Sequence, residues 1–276
     1  MAAELPDKEI HMKTIAFIGC GNMGGAIMGG ILAKGYADAD HIIAADLNQE
    51  QLDKAAARMG IHTTKDNREA VSRADVIFLS VKPQYYQAVI EGIRDIVTGD
   101  QLIITIAPGW SLARLAEAFG KDLQIIRTMP NTPALVGEGN IVVTPGPFVT
   151  EENLETGLTI LRCCGKATVI PEHLQDAAVA VSGSSPAYVF MMIEAMADAA
   201  VADGMPRAQA YEFAAQAVYG SAKMVLETGR HPGELKDMVC SPAGTTIEAV
   251  RVLEEKGFRS SIIEAMQACT RKTRGM

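Results

Sequence analysis

The sequence lacks the patterns that mark several broad classes of protein. Lys and Arg number 25 against 33 Asp and Glu, which leaves a formal net charge of -8 and no basic cluster. We therefore expect neither a nucleic acid nor an anionic membrane surface as a partner. The five cysteines, an odd number, show no C-x-x-C spacing. The sequence thus predicts neither a disulfide framework nor a zinc site, and this cysteine usage indicates a cytoplasmic protein.

Signatures of several reaction types and of a membrane span are missing as well. The five histidines fall in no H-E-x-x-H or similar spacing and no G-x-S-x-G occurs, which disfavours metal and acyl-transfer chemistry. No lysine lies between Lys166 and Lys223, so we expect a reaction that needs little acid-base assistance from the protein. Residues 188–202 form the most continuous apolar stretch, but Glu194 and Asp198 interrupt it, which argues against a membrane-spanning helix.

Two kinds of sequence pattern divide the chain near residue 170. Over residues 12–170, helical stretches alternate with short β-branched runs at 14–18, 41–45, 76–80, 102–106, 124–129, 141–143 and 166–170. This alternation predicts an α/β domain with a doubly wound, mostly parallel sheet. Residues 171–276 are rich in Ala and Met, and the predicted helices there are 187–203, 207–228, 232–239, 246–256 and 260–272. The second domain is therefore predicted to be all-helical, and the polar residues 1–11 are predicted to be a leader ahead of the natural start at Met12.

A glycine-rich turn stands near the start of the first domain. The residues Gly19-Cys20-Gly21-Asn22-Met23-Gly24 follow the apolar run 15–18 and open a segment of helical periodicity. This spacing is typical of dinucleotide binding: Gly19 makes the tight turn, Gly21 lets the backbone approach a pyrophosphate, and Gly24 lets helix and strand pack closely. The helix N-terminus would hold the phosphates without a basic side chain. The alternative is a plain turn that only connects two elements.

Two polar residues follow later strands of the same domain. Asp46 ends the second strand, 22 residues beyond Gly24, where a carboxylate can accept hydrogen bonds from the adenosine ribose. On this argument alone the site favours NADH, although the neutral Asn48 suits the ribose of NADH or that of NADPH. Asp46 could instead be a solubilising charge or a helix cap. Lys82, fixed at a strand end by Pro83, projects toward the crevice where ligands bind, or is merely solvated.

The helical half contains two hydroxyl-rich helix starts, 182–186 and 241–246. We predict that Ser185 caps a helix whose first residue is Pro186, and that Thr245 and Glu248 form a capping box. Gly244, Thr245 and Thr246 could also form an anion cradle for a small carboxylate, because several terminal N–H groups stay available after capping. The proline-rich loop 129–133 is predicted to be a wall of the active site. The surplus apolar surface of the helices, Met191, Met192 and Met196 included, indicates association with a second subunit.

Several of these segments together resemble the pyrroline-5-carboxylate reductase family, in its bacterial branch. The resemblance is carried by 18–24, 81–83, 129–134, 182–188 and 235–254 and spans residues 12–275. It implies reduction of L-1-pyrroline-5-carboxylate to L-proline with NADPH or NADH, by a Rossmann domain followed by an all-α dimerisation domain. A homodimer is implied, with larger rings of dimers as a further assembly.

The resemblance also implies which residues touch the ligands. Cofactor-binding positions are Ile18, Gly19, Cys20, Gly21, Asn22, Met23, Gly24, Asp46, Asn48, Asn67, Val81, Lys82, Pro83 and Ala107. Substrate-binding positions are Glu172, Ser184, Gly244, Thr245 and Thr246, and the Thr246 hydroxyl would hydrogen-bond the ring nitrogen as the catalytic contact. The family's usual Gly-Gly is Ala243-Gly244 here, so an added methyl group is expected to crowd this loop.

Two other functions are compatible with parts of the pattern. A β-hydroxyacid dehydrogenase also joins a Rossmann domain to helices, but the catalytic lysine that it needs early in the helical half is missing here. A non-catalytic nucleotide sensor would bind NAD(P)H and use its helices only to dimerise. A turnover assay with pyrroline-5-carboxylate separates both from the reductase.

Overall fold

The computed structural model describes residues 12–275, so the predicted leader at residues 1–11 lies outside the described residues. Contacts divide the chain into two compact units, one ending at Gly183 and the other starting at Ser184. Each unit has its own architecture. The first is a sheet covered by helices, and the second is built from helices.

The first unit is built on one eight-stranded sheet. Its strands are Ile15–Ile18 (β1), Ile42–Ala45 (β2), His62–Thr64 (β3), Val76–Leu79 (β4), Leu102–Thr105 (β5), Gln124–Met129 (β6), Gly139–Pro145 (β7) and Gly165–Val169 (β8). The order β3-β2-β1-β4-β5-β6-β7-β8 is parallel except where β6 meets β7. This is the doubly wound sheet that the alternating pattern predicts, and it brings the carboxyl ends of β1, β2 and β4 to one edge.

Helices cover both faces of the sheet and explain its apolar strands. They are Asn22–Ala33 (α1), Gln49–Met59 (α2), Asn67–Ser72 (α3), Tyr86–Ile93 (α4), Leu112–Phe119 (α5), Glu151–Arg162 (α6) and Gln175–Ala178 (α7). Strands β1, β4 and β5 are buried along their whole length, with one core on each side of the sheet. A strand that is buried on both faces needs a continuous apolar run, and such a run in the sequence predicts a buried strand.

The strand β3 is not among the strands predicted from the sequence. The strand β3 has only three residues, His62 to Thr64, and its side chains are exposed or half-buried. It pairs with β2 at the edge of the sheet. A short polar edge strand has no apolar run, so periodicity does not reveal it.

The first unit continues beyond the predicted boundary at residue 170. Gln175 is buried, and its Nε2 donates a hydrogen bond of 2.8 Å to Thr144 Oγ1 on β7. Asn131 Nδ2 donates to the carbonyl oxygen of Ser182 over 2.9 Å. Because these buried polar groups are satisfied within the first unit, residues 172–183 pack with the sheet.

Over residues 184–275, the second unit consists of five helices. They are Ser185–Ala202 (α8), Arg207–Thr228 (α9), Pro232–Val239 (α10), Thr245–Glu255 (α11) and Phe258–Thr273 (α12). Each lies within a few residues of its predicted range. Ala197 on α8 is buried, as are Ala210 and Ala214 on α9, so small side chains let these two helices approach closely.

Large apolar side chains are exposed on the same helices. Phe190 is 58% exposed, Met191 68% and Phe213 60%. Within residues 12–275, one helical stretch, Glu172–Ala202, is by length and composition alone long and apolar enough to cross a membrane.

Candidate functional site

The glycine turn after β1 is packed too tightly for a side chain at two positions. Gly19 has a φ of +101°, and a Cβ there would lie 2.8 Å from the carbonyl oxygen of Ser80. A Cβ at Gly24 would lie 2.7 Å from the carbonyl oxygen of Gly19. The Ser80 hydroxyl also donates to Gly19 O over 2.6 Å. The turn is therefore clamped between the ends of β1 and β4, and the steric roles predicted for Gly19 and Gly24 are present.

Open space surrounds the middle glycine. Gly21 is the N-cap of α1, and no atom outside its immediate neighbours lies within 4 Å of the position of a Cβ there. The first turn of α1, all of it described, contains no acidic residue and receives no side-chain cap. Free N–H groups at the start of a 12-residue helix, beside open space, suit a phosphate.

Asp46 links the glycine turn to the loop after β2. Its Oδ2 accepts a hydrogen bond from the backbone N–H of Cys20 over 3.0 Å and faces the Cys20 thiol at 3.6 Å. Its Oδ1 accepts from the N–H of Asn48 over 2.9 Å. Burial, and to a lesser degree the charge of Asp46, raises the pKa of Cys20 to about 12. Asn48 is itself the cap of α2, because its side chain accepts from Glu50 N over 3.0 Å.

A cleft of about 510 Å³ opens beside these residues. It brings together seven of the predicted cofactor contacts, which are Gly19, Gly21, Asp46, Asn48, Asn67, Val81 and Lys82. Cys20 and Asn22 line a second groove, about 660 Å³, which shares Gly21 with the cleft. The remaining predicted positions are not at the surface of the cleft: Ile18 and Ala107 are buried in the core, Met23 packs against it, and Gly24 and Pro83 support the turns.

Two aromatic residues that sequence reasoning missed support the rim of this cleft. The Tyr86 hydroxyl donates to Leu79 O over 2.5 Å and accepts from Ile106 N over 3.2 Å. Burial raises the pKa of this phenol, so it stays a donor. Trp110 Nε1 donates to Pro83 O over 3.1 Å. Tyr86 and Trp110 thus fix the ends of β4 and β5 and the turn at Lys82. In the sequence, the spacing of these two aromatic residues is that of ordinary core residues.

Glu172 has partners within the first unit. Its Oε1 accepts from Arg127 Nη1 over 2.9 Å and from the backbone N–H of Leu112 over 2.7 Å. Arg127 is buried on β6, and Leu112 begins α5. The carboxylate therefore pairs a buried cation and satisfies a helix N-terminus. A contact between Glu172 and substrate stays a prediction.

The proline-rich loop before β7 is held by an asparagine. Asn131 is buried, and its Oδ1 accepts from Asn140 N over 2.8 Å while its Nδ2 donates to Ser182 O. The residues after it, Thr132–Val136, form a short 3₁₀ helix. Both ends of the buried Asn131 amide are therefore satisfied, and they tie the loop to the start of β7 and to residue 182. The loop's role as a wall of the active site stays a prediction.

In the second unit, a tight turn leads into α11. Gly244 N donates to Ser241 O over 3.0 Å, and a Cβ at Gly244 would collide with Ser241 Oγ. Among residues 12–275, Ala243 is the one residue other than glycine with a positive φ, +55°. Ala243, which stands where the family pattern has glycine, thus lies in a left-handed conformation that favours glycine.

Both predicted caps in this half are wrong. Gly244, which has no side chain, is the N-cap of α11, so Thr245 is the first helical residue and forms no capping box with Glu248. At α8 the N-cap is Ser184, and Pro186 follows the first helical residue. The Ser184 hydroxyl lies 3.2 Å from Cys269 Sγ. The helix start at 244–246 therefore keeps N–H groups without side-chain caps, as an anion cradle requires.

Two family models match the two halves of the chain, and curated relatives match nearly all of it. Residues 172–276 match the family model for pyrroline-5-carboxylate reductase dimerisation, and residues 14–109 match that for NADP oxidoreductases dependent on coenzyme F420. The chain is 56% identical to pyrroline-5-carboxylate reductase of Escherichia coli K12, over 95% of this chain and 97% of the relative. It is 43% identical to the Methanosarcina acetivorans enzyme of the same name, over 92% and 94%.

Solved structures give the same result. The pyrroline-5-carboxylate reductase of Coxiella burnetii superposes with a TM-score of 0.89 at 34% identity, over 96% of this chain and 98% of that one. The Plasmodium falciparum pyrroline carboxylate reductase, crystallised with NADP, gives 0.87 at 28% identity, over 95% and 97%. With this identity over nearly its whole length, the chain belongs to the pyrroline-5-carboxylate reductase family.

Proposed function

We propose which residues of this chain perform the reaction of its family. The protein is an oxidoreductase that reduces L-1-pyrroline-5-carboxylate to L-proline with NAD(P)H, the final step of proline biosynthesis. The Rossmann domain, residues 12–170 with the following short helices, binds the nucleotide, and the helical domain binds substrate and a second subunit. The single observation that carries this proposal is the clamped glycine turn, which leaves Gly21 open at the N-terminus of α1.

The residues of the first unit fit a dinucleotide. The N–H groups of Asn22 and Met23 at the start of α1 bind the pyrophosphate, which Gly21 allows to come close. The cleft of about 510 Å³ takes the adenosine, with Asp46 and Asn48 beside the ribose. When bound, the reduced nicotinamide supplies a hydride from C4 to the C=N carbon of the substrate.

The start of α11 binds the substrate carboxylate. Its uncapped N–H groups at Thr245 and Thr246 carry partial positive charge at the end of an 11-residue helix. The Thr246 hydroxyl bonds the ring nitrogen and orients the C=N bond. Because the imine is readily protonated, it accepts hydride as an iminium and yields the neutral ring without a strong protein acid. Glu172 and Ser184 stay predictions from the resemblance, since both have partners in their own units.

We also propose that the chain forms a homodimer through its helical half. The family model that matches residues 172–276 describes dimerisation, and Phe190, Met191 and Phe213 leave apolar surface exposed there. A ring of dimers and a cytoplasmic location are parts of the same proposal. Light scattering coupled to size exclusion checks the assembly: a monomer at micromolar concentration contradicts it.

The proposal for Thr246 is tested by substitution. Thr246→Ala removes the hydroxyl, and we expect turnover of racemic pyrroline-5-carboxylate to fall about tenfold to a hundredfold, because one orienting hydrogen bond is lost. Thr159→Ala is the matched control, since it makes the same change within helix α6, where the hydroxyl faces Glu155 at 3.4 Å. NAD(P)H absorbance is the readout, with circular dichroism to confirm folding.

Two results would reject this assignment. Unchanged turnover in folded Thr246→Ala would remove the orienting role. Nucleotide binding by the wild-type protein with no turnover of pyrroline-5-carboxylate would favour the sensor and reject the enzyme.

A further inference from the structure

The carboxylate of Asp46 is held on both of its oxygens. Cys20 N donates to Oδ2 over 3.0 Å, and Asn48 N donates to Oδ1 over 2.9 Å. The Cys20 thiol, 3.6 Å from Oδ2, adds a weak donor, since a pKa raised to about 12 by burial keeps it protonated. Asp46 therefore differs from a free strand-end carboxylate: its position is set by the backbone of two different loops.

This anchoring prevents the charge from moving aside. Rotation of the Asp46 side chain would leave the N–H groups of Cys20 and Asn48 without their acceptor. A carboxylate has about four acceptor positions, and two backbone donors and one thiol leave room for a further donor. The fixed group can thus accept a hydroxyl, but it cannot make way for an anion.

One cationic side chain lines the described part of this cleft. Lys82 is the one cationic residue among the described residues that line the cleft, and the others beside the ribose position, Asn48 and Asn67, are neutral. Lys54 on α2 is paired with Glu50 at 2.6 Å and lines the other groove. Arg58 also lines that groove, where its Nη2 lies 3.4 Å from Gly25 O.

We infer that Asp46 makes this enzyme select NADH over NADPH. A free ribose 2′-hydroxyl donates to the anchored carboxylate, whereas a 2′-phosphate would place about two negative charges against it in the same cleft. This inference rests on the proposed function, because it assumes that the cleft beside the glycine turn holds the adenosine.

Kinetics with both nucleotides test the inference. We expect kcat/KM of the wild-type protein to be about tenfold or more higher with NADH than with NADPH, which corresponds to about 1.4 kcal/mol. In Asp46→Asn, the loss of charge should lower that ratio by about tenfold or more, chiefly through a lower KM for NADPH. Asp53→Asn is the matched control: it removes the same charge from α2, where Asp53 only accepts from Gln49 Nε2 over 2.8 Å, and should leave the ratio unchanged.

A binding experiment on the wild-type protein does not depend on the variant folding or on turnover. Calorimetry should show tighter binding of ADP-ribose than of 2′-phospho-ADP-ribose, and the difference should shrink at high salt because screening weakens the repulsion. Tighter binding of the 2′-phosphorylated compound, a wild-type preference for NADPH, or an unchanged ratio in folded Asp46→Asn would each overturn the inference. Turnover with NADPH alone would reject the NADH selectivity and leave the reductase assignment standing. Selective ADP-ribose binding without any turnover would reject the reductase assignment and leave the nucleotide selectivity standing.

Discussion

Thr105, at the carboxyl end of β5, has a buried hydroxyl without a partner. Its side chain is fully buried, and Oγ1 has no hydrogen-bond partner among residues 12–275. A buried hydroxyl that lacks a hydrogen bond costs about 1–3 kcal/mol relative to one that is satisfied. Thr105→Val keeps the β-branched shape that the strand needs and removes the oxygen. We therefore expect the free energy of unfolding of the first unit to rise by about 1–2 kcal/mol.

Thr128 on the neighbouring strand supplies a control with the opposite sign. It is also buried, but its Oγ1 donates to Thr105 O over 2.8 Å. Thr128→Val makes the same chemical change and loses that bond, so it should destabilise the unit by about 0.5–1.5 kcal/mol. The two variants make the same change from threonine to valine, so they differ only in whether the lost hydroxyl has a hydrogen-bond partner.

Thermal unfolding followed by circular dichroism, at one protein concentration, measures both effects. For a unit of this size, 1 kcal/mol moves the midpoint by about 2–4 °C, so Thr105→Val should raise it and Thr128→Val should lower it. Hydrogen exchange of the β5 amides assigns the change to the first unit. A lower midpoint for Thr105→Val, or a loss of nucleotide affinity in that variant, would contradict this expectation, since the hydroxyl would then have a partner or a ligand.

Two further substitutions test the turns at the proposed binding sites. Gly24→Ala would place a Cβ 2.7 Å from Gly19 O, so the turn must shift; we expect nucleotide affinity, measured by calorimetry, to fall about tenfold or more, and unchanged affinity would contradict this. Ala243→Gly relieves a left-handed alanine at φ +55° and should stabilise the protein by about 0.5–1 kcal/mol in thermal unfolding, whereas a lower midpoint would show that the turn is not strained.

The elements that depend on a continuous apolar or helical pattern could be predicted from the sequence. Strands β1, β4 and β5 are buried on both faces, and the helices of the second unit have strong helix formers over long ranges, so both were found. The strand β3 was missed because His62 to Thr64 form an exposed edge. The helix caps were wrong because a cap depends on the φ and ψ of one residue, such as Gly244, and not on residue spacing.

The site residues show the same division. The glycine turn is a local motif, and the steric demands of Gly19 and Gly24 follow from it. Asp46 was predicted as a ribose ligand, but its bonds to Cys20 and Asn48 depend on how two loops meet in space. Tyr86 and Trp110 resembled ordinary core residues, because the carbonyl groups that they bind belong to distant turns. Tertiary hydrogen bonds of this kind leave no periodic signal in one sequence.

Isotope transfer from the nucleotide to the product follows the hydride itself. The wild-type protein is mixed with racemic pyrroline-5-carboxylate and with NADH or NADPH in which both hydrogens on nicotinamide C4 are deuterium. The product is analysed by mass spectrometry and chiral chromatography. We expect L-proline with a single deuterium at the former C=N carbon, formed in step with nucleotide oxidation. Unlabelled proline, or nucleotide that is bound but never oxidised, would contradict it.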